Sequence, residues 1–208
     1  ALKFTPQDST TYRVIMEAEK SGEWAGALPS KPSAFKGGHT GNRFEMTFTQ
    51  QIQSTDDEGN AVAKITIKAL KYLATVRDNA VLDFDSSREK DRDNPLGKLI
   101  GQSYTIEITS SGQVSKIIDT SGARAAVGDS SPAGNTATTL LSDNAIKERH
   151  TISALPAADN NRLRTGDNWS STETFYFDMM GSKSYEKIYT LKEIKDTGNQ
   201  QLAIANPR

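Results

Sequence analysis

The segment LIGQSYTIEITSSGQVSKII, residues 99–118, contains the clearest strand pattern of the chain. Its first apolar residues recur at every second position, namely at Tyr104, Ile106 and Ile108. This period is typical of a strand with one buried face. A Ser-Ser-Gly turn follows, in which Gly112 can adopt a positive φ at low steric cost. The next apolar residues predict the partner strand: Val114, Ile117 and Ile118. Their change from even to odd positions indicates either a bulge in this strand or its end.

Similar alternation predicts strands before and after this hairpin, at residues 10–19, 43–54, 61–77, 81–86, 174–180, 184–194 and 200–205. The apolar positions of the third of these strands change phase near Leu70, which predicts a bulge. The length of this strand, about 55 Å, predicts a strongly twisted sheet. Gly181 and Ser182 are expected to form the turn before the next-to-last strand. Residues 21–42 are rich in glycine and predict a long flexible loop.

The best helical pattern covers residues 136–150, where one apolar stripe contains Leu140, Leu141, Ala145 and Ile146. The charged residues of this segment are expected off the stripe: Asp143, Lys147, Glu148 and Arg149. Shorter helices are expected after Pro95 and over residues 121–127. The sequence therefore predicts a mainly β (α+β) fold. Long antiparallel strands would form a strongly twisted, curved sheet or half-barrel, with the 136–150 helix packed on it. We expect one β-rich domain over residues 1–208, truncated at its C-terminus because no further strand covers the last one.

Composition excludes several classes of function. The chain has 208 residues, with 25 basic and 26 acidic side chains, and this balance does not favour nucleic acid or an anionic membrane as partner. The absence of cysteine excludes disulfides and thiolate chemistry. No apolar run approaches the ~20 residues of a transmembrane helix. The mean hydropathy of −0.59 suits thin sheets with one solvated face.

Two motifs together resemble a known family. One is LIGQSY at residues 99–104 with GQV at residues 112–114, and the other is LRTGDNW at residues 163–169 followed by YTL at residues 189–191. The pairing is similar to that of uncharacterised bacterial exported proteins, often lipoproteins, with GQ-x-Y…G-x-V and GD-x-W motifs. The resemblance extends over residues 43–205. It implies a β-rich domain that is periplasmic, at the cell surface or secreted, and it implies no activity.

Residues that could perform metal or nucleophilic chemistry are few. The only histidines are His39, expected in a solvated glycine loop, and His150, expected near a helix C-terminus where a cation is favourable. No G-x-S-x-G motif accompanies them. An acidic cluster could hold calcium, but interleaved basic residues favour a solvated charged loop: Asp83, Asp85, Glu89, Asp91 and Asp93, with Arg88, Lys90 and Arg92. No metal and no cofactor are expected.

Three functions stay open at this point. Aromatic residues on the predicted inner face could line a cavity for an apolar ligand: Phe44, Phe48, Tyr104, Phe175 and Tyr189. A packed core explains the same residues. A hydrolase could use strand carboxylates, although all of them fall on the polar face: Glu45, Glu107, Glu173 and Glu186. An accessory domain could pair an exposed strand edge with a protein partner. Asp167 is expected to bond backbone two residues on, and Trp169 to cap the core where a strand starts. This structural interpretation is favoured over a platform on which a sugar stacks. We favour a non-catalytic extracytoplasmic binding or structural module, with an apolar small molecule or a protein as its partner.

Overall fold

The computed structural model describes residues 2–20, 40–128, 130–152, 164–177, 181–196 and 201–207. The chain divides into two compact units, Leu2–Thr151 and Ile152–Arg208 with Ala1. The expectation of one domain over residues 1–208 stays a prediction beside this division. Of the predicted loop over residues 21–42, the last three residues belong to a strand, and residues 21–39 lie outside the described residues.

A six-stranded antiparallel sheet forms the larger unit, so the predicted mainly β, antiparallel fold is confirmed. The sheet is open and not closed into a barrel. Its order is β1-β2-β3-β5-β6, and β4 also pairs with β3. The strands are β1 Ser9–Lys20, β2 Thr40–Thr55, β3 Ala61–Val76, β4 Asn79–Asp85, β5 Ser103–Ile108 and β6 Val114–Asp119.

Strand β3 organises this sheet, because it has partners along both edges. One edge pairs with β2, while the other pairs first with β5 and then, further along, with β4. Loop backbone fills the gap between those two strands. The amide of Ile67 donates to the carbonyl of Gln102 over 3.0 Å, and the amide of Ser86 donates to the carbonyl of Leu70 over 2.9 Å.

The phase change predicted near Leu70 is a β-bulge. Thr47 pairs with Ala69 and Phe48 pairs with Ile67, so Lys68 is the extra residue on β3. The side chains on either side of this bulge consequently point to the same buried face, although their spacing breaks the two-residue period. Two register shifts between β5 and β6 favour the bulge over the strand end in the central hairpin.

Helical segments cover the inner face of this sheet. They are the 3-10 helices Glu89–Asp91 and Pro95–Leu99, and the α-helices α1 Ser121–Ala126, α2 Pro132–Leu140 and α3 Asp143–His150. Helix α1 contacts β5, and α3 contacts β6. Fully buried side chains from the sheet and the helices form one core that includes Met46, Ile65, Leu70, Leu99, Ile106, Leu141 and Ile146.

The single helix predicted over residues 136–150 is wrong, because α2 ends at Leu140 and α3 begins at Asp143. Ser142 has extended backbone angles, φ −64° and ψ 153°, and its Oγ accepts a hydrogen bond from the amide of Ala145 over 3.3 Å. A serine in this position caps a new helix. Arg124 binds the carbonyl of Leu141 from the other side, through its Nε and Nη2 at 3.1 and 2.8 Å.

Replacing this cap tests the break between the two helices. We expect Ser142→Ala to lower the free energy of unfolding by about 1 kcal/mol, because the α3 amide loses its side-chain acceptor. Urea denaturation measures the change. Ser54→Ala, at an exposed position of β2, is the control and should change stability by less than about 0.5 kcal/mol. Equal effects of the two substitutions would contradict the capping role.

The smaller unit contains a three-stranded antiparallel sheet in the order β7-β8-β9. Its strands are β7 Asn168–Phe177, β8 Gly181–Asp196 and β9 Gln201–Pro207. The turn predicted at Gly181 and Ser182 is wrong, because these residues pair with Phe177 and Tyr176 as the first residues of β8. Among the described residues of the chain, no helix has the length and apolarity needed to span a membrane.

Candidate functional site

Three of the five aromatic residues predicted to line a cavity lie together in the core of the larger unit. Phe44, Phe48 and Tyr104 are each less than one-tenth exposed. Tyr189 is buried in the smaller unit, and Phe175 lies on β7, where its side chain is outside the described part. The hypothesis of an apolar cavity stays a prediction for these residues.

A buried polar cluster surrounds the hydroxyl group of Tyr104. A hydrogen bond of 2.6 Å joins this hydroxyl to Nε2 of His150, and Nη2 of Arg149 donates to it over 3.0 Å. The ring of Phe48 packs against the imidazole with centroids 4.6 Å apart. The arginine and the histidine are each only 6% exposed. The cluster therefore joins β2, β5 and α3 inside the core.

Burial determines the charge of this cluster. Loss of solvent lowers the pKa of His150 to about 3, and the nearby Arg149 cation lowers it further in the same direction. The imidazole is consequently neutral near pH 7. Burial also raises the pKa of Tyr104, against an opposing effect of Arg149. The predicted position of His150 at the C-terminus of a helix is confirmed, because it is the last residue of α3. Its burial favours the neutral ring over the cation that the helix dipole would stabilise.

Arg149 is the residue that sequence reasoning missed, since it was placed off the apolar stripe of a helix. Leu140 is the last residue of α2, and its carbonyl accepts hydrogen bonds of 3.1 Å from both Nη1 and Nη2 of Arg149. A guanidinium at a helix C-terminus bonds the free carbonyls and interacts favourably with the helix dipole. The buried cation is also 5.8 Å from the ring centre of Tyr104, while its Nε has no hydrogen-bond partner. The cluster thus connects β5 with α3 and with the end of α2.

The acidic residues at the end of β4 and in the segment after it form an ion-pair network. Arg88 binds Asp83 through both Nη atoms at 2.9 Å and binds Asp91 through Nε at 2.6 Å. Hydrogen bonds from Ser87 lower the pKa of Asp85 to about 2. Across the described ranges, no group of three or more histidine or acidic side chains is placed to hold a metal ion. The neutralisation by interleaved basic residues is therefore confirmed for Arg88.

The candidate hydrolase carboxylates are dispersed over the described strands. Glu45 on β2 accepts a hydrogen bond of 2.7 Å from Arg13, which lowers the pKa of its carboxyl group. Glu107 on β5 accepts one of 2.6 Å from Ser115, and β3 lies between these two strands. Glu186 belongs to the smaller unit, and the side chain of Glu173 lies outside the described part.

Strand β1 forms one edge of the six-stranded sheet. All twelve of its residues pair with β2 without a register shift, and in the described part of the chain it has no partner strand on its other side. On its outer face, the side chains of Arg13 and Glu17 are 62% and 61% exposed, and Ile15 is 45% exposed. On its inner face, Tyr12 is 42% exposed although its ring lies 5.6 Å from that of Phe48. We call the edge of β1 that faces away from β2 the β1 edge.

The start of β7 is shaped by the predicted pair of residues. Asp167 accepts a hydrogen bond of 2.6 Å from the amide of Arg164, three residues earlier and not two residues on. Trp169 stacks on Tyr189 with ring centroids 5.9 Å apart. The indole Nε1 is buried and has no hydrogen-bond partner. These contacts pair the beginning of β7 with β8.

These features define the class of the protein: a mainly β chain with an open antiparallel sheet, whose buried polar groups join sheet to helices. The chain belongs to a family of unknown function (DUF6263), whose model matches residues 58–200. The resemblance predicted that the chain belongs to an uncharacterised family, and this part of the prediction is confirmed. No curated protein matches the chain, and no solved structure does.

Proposed function

We propose that the protein is a non-catalytic binding module that acts outside the cytoplasm and binds through strand β1. The observation that supports a binding role is the β1 edge itself. A long exposed edge strand offers unpaired amide and carbonyl groups to another chain, and natural proteins usually protect such edges. Here twelve residues pair with β2 without a bulge or a proline, and no other strand in the described part of the chain pairs with their free edge.

The inner face of β1 adds an apolar surface beside this edge. Tyr12, Val14 and Met16 lie opposite core residues of β2, and all three keep part of their surface accessible. An apolar molecule that lies along this row would contact both the exposed side chains and the core. The apolar-ligand hypothesis is therefore directed to this row, at the margin of the core that contains Phe44 and Phe48.

The state of the polar groups supports a non-catalytic role. Tyr104 and His150 are hydrogen-bonded to each other inside the core, and Arg149 caps a helix. Among the described residues, the carboxyl groups with clearly shifted pKa values are all shifted downward, at Glu45, Asp56, Asp83, Asp85 and Asp119. A general acid of a glycosidase needs the opposite shift. The carboxylate-hydrolase alternative gains no support from this pattern.

The extracytoplasmic location is proposed from the resemblance to exported proteins. The complete absence of cysteine is compatible with it. Fractionation of the native host with an antibody against the protein tests this location, and recovery with cytoplasmic markers would contradict it.

Native mass spectrometry tests the binding role. The protein is purified without detergent, measured at micromolar concentration, and then extracted with organic solvent. We expect a reproducible additional mass, either a second chain or an extractable apolar molecule, because β1 offers a surface to each. A bare monomer would contradict the proposal.

Matched substitutions on β1 assign any additional mass. Met16→Lys on the inner face should remove an apolar molecule, whereas Ile15→Lys on the outer face should leave that molecule bound. Retention of the apolar molecule by both variants would exclude the inner row of β1 as its site.

A further inference from the structure

We propose that the partner at the β1 edge is a second copy of this chain, with the two β1 strands antiparallel around a twofold axis at Ile15. This inference rests on the proposed use of β1 for binding and specifies its occupant. The two six-stranded sheets would then join into one continuous sheet of twelve strands. The argument uses the regularity of the edge, the alternation of its faces and the order of its charges.

The regular pairing of β1 distinguishes it from the other strands at the edges of its sheet, β6 and β4. Strand β6, at the opposite edge, has six residues and two register shifts, and β4 has seven residues and one shift. Bulges and short strands are devices that prevent edge-to-edge pairing. The twelve residues of β1 lack such an interruption over their whole pairing with β2.

The alternation of side chains restricts the register. Residues directly opposite each other in an antiparallel pair point to the same face of the sheet. Around a twofold axis normal to the sheet, the inner faces of both copies stay on the same side. Even-numbered residues of β1, such as Tyr12, must therefore pair with even-numbered ones, so the numbers of paired residues add to an even total.

The charged and apolar residues of β1 together select one register among these. When paired numbers add to 30, Arg13 lies opposite Glu17 of the second copy, Ile15 lies opposite its own equivalent, and Val14 lies opposite Met16. The Arg13–Glu17 and Val14–Met16 pairings each occur twice in the dimer, and the Ile15 pairing occurs once. Opposite charges and apolar pairs directly across two strands both stabilise a sheet. The pairing with a total of 28 places Arg13 opposite Ile15 instead. A total of 32 pairs Arg13 with Glu19, but it places Ile15 opposite the charged Glu17. Only the total of 30 combines an opposite-charge pair with apolar pairs at Val14, Ile15 and Met16.

The existing ion pairs extend into this arrangement. Arg13 already binds Glu45 over 2.7 Å, and Glu17 lies 3.8 Å from Nη1 of Arg43. Joining the two edges produces two symmetry-related runs of alternating charge across four strands, in the order Glu45, Arg13, Glu17 of the second copy and its Arg43, with Glu45 diagonal to Arg13. The half-exposed Ile15 side chains meet between these two runs and lose solvent contact.

Cysteine cross-linking tests this register directly, because the chain has no cysteine of its own. Directly opposite residues have Cα atoms about 4.5–5.5 Å apart, which is within the range of a disulfide. We expect Ile15→Cys to form a disulfide-linked dimer under mild oxidation. Arg13→Cys alone is the control, because its two copies are four residues apart along the strand, about 13 Å. Cross-linking of Arg13→Cys but not Ile15→Cys would overturn the register.

A mixture of two variants gives a second, independent result. Arg13→Cys and Glu17→Cys should form a mixed disulfide when combined, and neither should cross-link efficiently alone. Differential isotope labelling distinguishes the mixed product from either homodimer by mass. Absence of the mixed product in folded protein, as checked by circular dichroism, would overturn the proposal.

Charge reversal tests the noncovalent dimer of the unmodified chain, with light scattering as the measurement. Arg13→Glu should weaken dimerisation about tenfold or more, because like charges then face each other twice. The double variant Arg13→Glu with Glu17→Arg should restore dimerisation. Both exchanged residues then lie beside a like charge on β2, namely Glu45 and Arg43. A folded chain that stays monomeric at high concentration would overturn the dimer. An apolar molecule on such a monomer would still leave the proposed binding function intact.

Discussion

Replacing Tyr104 with phenylalanine is expected to lower the free energy of unfolding by about 2–4 kcal/mol. The substitution removes a single hydroxyl group that bonds both His150 and Arg149 in the core. These two groups cannot reach solvent when their partner is lost, because each residue is 6% exposed. A buried polar group without its partner is more destabilising than the hydrogen bond alone, especially when the group is charged.

Urea denaturation of the Tyr104→Phe variant measures this loss. Tyr12→Phe removes the same atom from a residue that is 42% exposed, and it should change stability by less than about 0.5 kcal/mol. If both substitutions had the same small effect, the hydroxyl of Tyr104 would have no role in holding β5 against the helices. An intermediate effect would be expected only if solvent entered the site.

The second large effect is a loss of stability in mild acid. His150 has a pKa of about 3 in the folded chain, far below its ordinary value of 6.5, because it is buried. The unfolded chain therefore binds a proton at this residue as the pH falls through 6.5, while the folded chain does not. Stability is unaffected by this residue above that range and decreases toward pH 3. Linkage gives a loss of about 2 kcal/mol between pH 7.5 and 5.

Unfolding free energies measured at several values between pH 7.5 and 5 test this effect. Few carboxyl groups titrate in this range, so histidine dominates the slope. The variant His150→Gln should flatten the slope even if it lowers stability at pH 7.5. His39→Gln changes the only other histidine and should leave the slope from His150 in place. A slope that persists in His150→Gln would contradict the burial of a neutral imidazole.

The strands were predictable because their side chains alternate in polarity. Alternation identifies the buried face of a strand, and it also located the bulge beside Leu70. Alternation does not identify the neighbouring strand. The shared edge of β3, which pairs with β5 and then β4, depends on hydrogen bonds of Ile67 and Leu70 to loop backbone. Such pairing between distant segments leaves no periodic signal in one sequence.

The helical region shows how a local signal can be overridden by a pattern. The apolar stripe around Leu140 and Leu141 indicated one helix. Ser142 followed by Asp143 is an N-cap signal with an acidic first turn, and it correctly marks the beginning of α3. The apolar stripe continued across this cap signal, because α2 and α3 both pack against the same core.

The candidate site was only partly predictable. Tyr104 was identified as an inner-face aromatic, and the structure buries it as expected from its position. Arg149 was assigned to a polar face because charged residues are seldom fully buried. Its burial depends on a free carbonyl at the end of α2, which exists only because the helix breaks at that point.

The two edges of β3 also determine the order in which the sheet assembles. A short turn joins β2 to β3. A much longer segment of chain separates β3 from β5, which pair Ala61 with Ile108 and Thr66 with Ser103. Closing that longer loop loses chain entropy before its contacts form. We expect the β2–β3 hairpin to fold early, so that substitutions within it slow refolding, while those in β6 mainly accelerate unfolding. Stopped-flow kinetics would distinguish the two groups. Chain connectivity, more than the position of a strand in the sheet, then decides its place on the folding pathway.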